Sequence, residues 1–180
     1  MTAEQVVQAI KGCRLEYPVF MDIEYGTSGR KGGYRYDDPA NRKTNTAMIR
    51  AALETVEKAG YYAAVYCSRD FFLRFTDLGA LEKFDRWEAA YTAADTGEVK
   101  NGIWQYSSKN PLNIPGFGNS LDCDIAYKDY PAIIQKAGLN GLKSAKSFYV
   151  QAGPVTAREA EPAVKALQAL NIPCVMKGVK

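Results

Sequence analysis

The sequence contains no histidine. That absence excludes Ser-His-Asp triads, Cys-His nucleophiles and His-ligated zinc. Acid–base chemistry is left to carboxylates, tyrosine or lysine. Cysteine is sparse: Cys13, Cys67, Cys123 and Cys174 lie far apart and form no CxxC pair. A zinc site or redox motif is therefore not indicated, and the four read as small, mostly buried thiols. No apolar run approaches the ~20 residues of a membrane-spanning helix. Residues 1–12 mix Glu4, Gln5 and Gln8 with Val6, Val7 and Ile10. That is a helix pattern, without the charged start and long apolar core of a signal peptide. Charge of one sign is also in short supply. Lys and Arg number 23 against 20 Asp and Glu, leaving +3. This is too little to argue for nucleic acid, and it suits an anionic surface such as a bacterial wall without proving one.

What is present is ordinary globular usage, 47% hydrophobic and 24% charged over 180 residues. The length fits one domain, or one domain with a small appendage. Residues Tyr17 to Glu24 (YPVFMDIE) read as a buried strand. Residues 25–43 are rich in Gly, Arg, Lys and Asp and read as a loop. Thr44 or Asn45 is placed to cap a helix whose buried stripe is Ile49, Ala52, Leu53, Val56 and Ala59, with Gly60 as its stop. Further strands are expected at Tyr61–Ser68, Arg86–Thr92, Gly102–Ser108 and Leu121–Tyr127. One or two short helices fit Arg69–Lys83, and another fits Asp129–Ala137 with Ile133 and Ile134 inward.

Alternating strands and helices indicate an α/β fold with a mainly parallel sheet. The later strands have few helices between them, which fits an irregular barrel better than a flavodoxin-like sheet. A full (β/α)8 barrel takes ~250 residues and rarely under ~200, so the barrel is expected to be incomplete. Gly141–Ser147 reads as a linker, separating residues 1–142 from a tail at 147–180. The tail reads as a small βαβ unit with strands at Phe148–Ala152 and Ile172–Met176. Its helix carries a Thr156–Glu159 capping box and a stripe of Ala160, Val164, Leu167 and Leu170.

The chemistry-bearing residues are acidic. Asp22 and Glu24 are spaced i, i+2 at the end of the first strand, which places both on one face. Crowded carboxylates push one pKa up, giving a protonated acid beside an anion. Glycosidic cleavage uses that pairing: an acid for the leaving oxygen and negative charge near the oxocarbenium centre. Asp122 and Asp124 repeat the spacing on a later strand. Trp87, Tyr91, Trp104, Gln105 and Tyr106 supply aromatic faces and an amide of the kind sugars need. The same acidic pair would also suit a solvated turn, and the same aromatics would suit a core.

Taken in order, YPVFMDIE, GYYAAVYCSRDFF, RWEAAYT, IWQYSS, IPGFGNSLDCDIAYKDYP and KAGLNG resemble the glycoside hydrolase family 25 lysozymes, the N-acetylmuramidases of bacteria and their phages. The likeness runs from about Tyr17 to Gly141. It implies an irregular β/α barrel that hydrolyses the β-1,4 bond between N-acetylmuramic acid and N-acetylglucosamine, with peptidoglycan as partner and no metal or organic cofactor. It carries the acid role onto Glu24. Asp22 becomes the anionic neighbour that steadies the substrate acetamido group, so that the substrate itself acts as nucleophile. Asp122 matches the acid of the late strand, and Asp124 falls where many relatives have Asn. Tyr66, Trp104 and Gln105 match positions lining the sugar groove. The implied place of action is the cell wall, outside the cell or after lysis.

The departures carry expectations too. Nothing in Met1–Glu16 resembles the acidic GIDVSxxQ strand with which relatives begin. The catalytic domain is therefore expected to be partial, with impaired activity and an open sheet edge at Tyr17–Glu24 through which copies associate. A glycan-binding protein without catalysis is the alternative. The tail FYVQAGPVTAREAEPAVKALQALNIPCVMK resembles half of a SPOR-type repeat, a module that binds peptidoglycan glycan strands.

Overall fold

The computed structural model describes residues 2–25, 39–143 and 156–169. The chain divides into two compact units, Met1–Ala145 and Lys146–Lys180. In the first, helix α1 (Ala3–Ala9) opens on a capping box: the Gln5 N–H donates to the Thr2 hydroxyl, and the Thr2 N–H donates to the Gln5 side chain. Strand β1 (Val19–Asp22) follows, then helix α2 (Arg42–Lys58), strand β2 (Ala63–Ser68) and helix α3 (Arg69–Phe75). Strands β3 (Asp85–Ala89), β4 (Ile103–Ser107) and β5 (Cys123–Ala126) complete one sheet, and helix α4 (Tyr130–Ala137) closes the unit.

The sheet runs β1-β2-β3-β4-β5 in chain order. The first four strands are parallel, and β5 is antiparallel to β4. Among the described residues β5 does not return to β1, so the sheet is open and β1 pairs with β2 alone. The expected mixed α/β architecture with a mainly parallel, unclosed sheet is what the chain forms.

Strand alternation gives the sheet two faces. One carries Ala63, Val65 and Cys67, packed with Leu53 and Val56 of α2 and with Phe71, Phe72 and Phe75 of α3. The other bears Phe20, Tyr62, Trp87 and Ile103, and at its lower end Tyr130 and Ile134 of α4 cover it. Gly102 makes that cover possible. A Cβ there would stand 2.0 Å from the Tyr130 hydroxyl oxygen, whose ring is wholly buried. Gly102→Ala is therefore expected to cost about 1–3 kcal/mol by overpacking. Urea unfolding measures it, and adding Tyr130→Phe should restore part of the loss. An unchanged midpoint for the single variant would show that α4 shifts freely.

The buried Asn140 clasps the same end. Its Oδ1 accepts the Tyr62 N–H at 2.7 Å and its Nδ2 donates to the Tyr17 carbonyl at 2.8 Å. Its backbone N–H bonds the Gly60 carbonyl, and its carbonyl accepts from Leu15. The starts of β1 and β2 are thereby tied to the end of α4.

Several boundaries differ from expectation for local reasons. Pro18 has no N–H, so β1 begins at Val19, whose N–H bonds Tyr62. Helix α2 starts earlier, after a 3-10 turn at Pro39–Asn41. Asn45 and Thr46 are buried inside it: Asn45 donates to the Phe75 carbonyl, and the Thr46 hydroxyl accepts from Asp77. Ala59 ends the helix exposed. Between Arg69 and Lys83, where one or two helices were expected, the single helix α3 forms and ends at Phe75. In α4, Ile133 is exposed and Tyr130 takes the inward position beside Ile134. Of the three described cysteines, Cys67 and Cys123 are buried and Cys13 is exposed.

In the second unit, helix α5 (Ala157–Ala169) follows Thr156, whose carbonyl accepts from Ala160. Ala160 and Val164 are half-buried. Pro162 sits inside the helix and removes one backbone donor. The strands expected at 148–152 and 172–176, Leu170, and the side chains of Glu159 and Leu167 lie outside the described residues.

Candidate active site

The four parallel strands end on one side, and antiparallel β5 begins there. Register fixes which side chains meet. Asp22 pairs with Tyr66, and Tyr66 with Trp87, so these three share a row on one face. One row further along, Ala89 pairs with Gln105, and Gln105 with Asp124. Glu24 lies just past the end of β1, where the Ile23 N–H still bonds the Tyr66 carbonyl. The open, carboxyl end of a parallel sheet is where such folds place their chemistry.

Hydrogen bonds order the floor of the site. The Trp87 indole donates to Asp124 Oδ1 at 2.7 Å, and its ring meets Phe20 and Tyr66 edge-on with centroids 5.0 Å away in each case. The hydroxyls of Tyr66 and Tyr91 both donate to Gln105 Oε1, at 2.9 and 3.1 Å. Two donors fill that oxygen's lone pairs, so the amide NH2 is the part of Gln105 left to meet a ligand.

The carboxylates interact. Glu24 titrates above the usual glutamate range because it is partly desolvated, and the charges of Asp22 and Asp122 add to the shift. Partial desolvation also raises Asp22. Asp124 is raised by desolvation and by Asp122, against the lowering effect of the Trp87 indole. Tyr66 is raised by burial and then by Tyr91, Glu24, Asp22 and Asp122, so its phenol stays protonated. The arrangement favours the protonated form of Glu24 more than a free glutamate would, with an aromatic wall and an amide donor alongside. Among the described residues no group of three Cys, Asp or Glu side chains is placed to hold a metal ion.

Of the residues singled out in the sequence, Asp22, Glu24, Asp122, Asp124, Tyr66, Trp87, Tyr91 and Gln105 come together. Trp104 does not join them. It precedes Gln105 on β4 and pairs with Glu88, so alternation turns it to the opposite face. There it is 7% exposed and donates its indole N–H to the Ala90 carbonyl at 2.8 Å. Its role is to brace the end of β3.

Sequence reading missed a polar network on that opposite face. Glu88 is wholly buried. It accepts from Arg69 Nε and, at 2.6 Å, from Asn101 Nδ2. Asn101 also donates to Asp95, which accepts from Tyr127 and from the Gly97 N–H. Burial pushes Asp95 up, but Gly97, Asn101, Tyr127 and Arg69 together pull it below the usual range. The network ties the β3–β4 loop, which begins at Ala90, to α3 and to Tyr127 just after β5. A signal was present: in RWEAAYT the charged residues Arg86 and Glu88 alternate with Trp87, marking two differently used faces.

The family model described as glycosyl hydrolases family 25 matches residues 2–116. That span includes α1, which the sequence resemblance had left out, and ends before Asp122 and Asp124. The modular autolysin LytC from Streptococcus pneumoniae superposes with a TM-score of 0.56 at 27% identity, covering 68% of this chain and 29% of its own. The same autolysin in complex with a synthetic peptidoglycan ligand gives 0.56 at 26% identity, with coverage of 68% and 29%. A muramidase from Acremonium alcalophilum gives 0.53 at 17% identity, over 78% of this chain and 68% of its own, a likeness of fold. The chain spans less than a third of the length of LytC. No curated protein matches the sequence. None of these likenesses supports a SPOR-type half-repeat in the tail.

Proposed function

This chain belongs to the family 25 glycosyl hydrolases, and on that premise we propose that it is a peptidoglycan hydrolase acting at the bacterial cell wall, specifically an N-acetylmuramidase. The observation that carries the reading is Glu24, held above its usual pKa by partial desolvation, Asp22 and Asp122 at the open end of a parallel sheet. Glu24 donates its proton to the glycosidic oxygen as the bond to N-acetylmuramic acid breaks. Asp22 lies in the row of Tyr66 and Trp87 and supplies negative charge beside the oxocarbenium centre, orienting the acetamido group that attacks it. Trp87 and Tyr91 offer ring faces, and the Gln105 amide offers a donor to sugar oxygens. The peptidoglycan ligand on LytC supports the substrate class. Residues 1–142 form the catalytic part of this reading, and 147–180 a short attached unit. The edge of β1, which pairs with no second strand among the described residues, is the surface through which copies would pair.

Falling turbidity of a purified peptidoglycan suspension, read beside a wall pull-down, tests the proposal. Binding without clearing would replace it with a glycan-binding role. The Asp22→Asn variant tests the electrostatics. A general acid must be protonated, so the rate falls as pH rises through the pKa of Glu24. Removing the Asp22 charge lowers that pKa, and the alkaline limb of the pH–rate profile should move to lower pH. The shift is partial, because desolvation is the larger cause. An alkaline limb that stays in place would contradict the coupling.

A further inference from the structure

The β4–β5 connection leaves from the end of the sheet that carries the carboxylates, since β4 ends there and antiparallel β5 begins there. It is held from within. Asn110 is only 8% exposed, and its Nδ2 donates to the carbonyls of Ile114 at 2.8 Å and Gly118 at 3.0 Å. Its Oδ1 accepts the Ile114 N–H at 2.8 Å. Asn113 and Gly116 take left-handed conformations, with φ of 51° and 91°, that set the turns. Yet the apolar side chains of this tethered loop face solvent: Leu112 is 64% exposed, Ile114 40% and Phe117 52%. Single exposed apolar residues are commonplace, but three on one internally braced loop at the mouth of a site mark a contact surface. Lys109 stands exposed at the foot of the loop.

Resting on the muramidase reading, we propose that Leu112, Ile114 and Phe117, with Lys109, dock the short peptides that substitute the glycan strand. The chemistry separates the two halves of such a substrate. Sugars are met by carboxylates, ring faces and the Gln105 amide within the site. A bare glycan offers little to three aliphatic and aromatic side chains beyond it. The peptide branches offer methyl groups, which bury against those side chains, and carboxylates, which attract the lysine. The loop thereby gives preference for peptide-bearing over peptide-free glycan.

The test uses the full chain and binding as its readout, with intact peptidoglycan compared against the same glycan stripped of its peptides by an amidase. Wild type should bind the intact polymer about five- to tenfold more tightly, the effect of half-covering a few apolar side chains. The triple variant L112S/I114S/F117S should lose that preference and bind stripped glycan as before. Lys109→Gln serves as the charge control: it should weaken binding to both polymers at low salt, because the amidase leaves a lactyl carboxylate on each stripped N-acetylmuramic acid. Asn110→Ala, which keeps the apolar side chains but frees the loop, should also weaken the preference. Equal binding of the two polymers by wild type, or equal losses on both in the triple variant, would overturn the docking role. Peptide-dependent binding without cleavage would overturn the muramidase reading and leave the docking surface standing.

Discussion

Glu24→Gln is expected to abolish measurable peptidoglycan hydrolysis, a loss of roughly 10²–10⁴-fold, the usual contribution of general acid catalysis. The amide preserves shape and hydrogen-bonding capacity but cannot release a proton to the leaving oxygen. Folding should be unaffected or slightly improved. The folded state raises the pKa of Glu24, so it binds that proton more tightly than the unfolded chain does. A group of this kind contributes stability at low pH and loses it as pH rises through its folded pKa, so its ionised form is a small burden at neutral pH. Release of reducing ends from purified peptidoglycan, with a thermal melt of each protein, separates the two effects. Retention of a tenth or more of wild-type activity would remove Glu24 from the acid role.

The largest effect on stability is expected on the other face of the sheet. Glu88→Ala removes the buried partner of Arg69 and Asn101. The Arg69 guanidinium is 14% exposed and retains Asp95 at 3.8 Å and Glu98 at 3.9 Å, too distant to replace the lost carboxylate. An uncompensated buried charge costs about 3–5 kcal/mol, and the neighbouring acids should hold this case near the lower end. Urea unfolding of the purified variant measures the loss. Arg69→Met combined with Glu88→Leu should recover most of it, because breaking a pair costs more than replacing it with apolar side chains. A single variant as stable as wild type would mean that the network is not a structural tie.

The balance between what could and could not be read from the sequence follows the range of the forces involved. The strand positions and most of the candidate site residues were legible because they depend on local patterns: the apolar runs, the DxE strand end, and aromatics spaced along consecutive strands. The error at Trp104 has a simple cause. It adjoins Gln105, and adjacent strand residues face opposite ways, so both could not line one groove. Thr44 and Asn45 looked like caps because their side chains compete with helical hydrogen bonds. Burial against α3 reversed that preference for Asn45, which reaches the Phe75 carbonyl from 30 positions away. Glu88 was passed over because its partners, Arg69 and Asn101, come from other elements and only the sheet register brings them together. Tyr130 displaced Ile133 from the core for a similar reason, since the space beside it exists only because residue 102 lacks a side chain.

The most direct measurement is mass spectrometry of the soluble fragments that the wild-type chain releases from purified, borohydride-reduced peptidoglycan, with Glu24→Gln run in parallel. A muramidase leaves N-acetylmuramic acid at every new reducing end, and the variant should leave none. New reducing ends on N-acetylglucosamine, cleavage confined to the peptides, or equal release by the variant would contradict the assignment of this site.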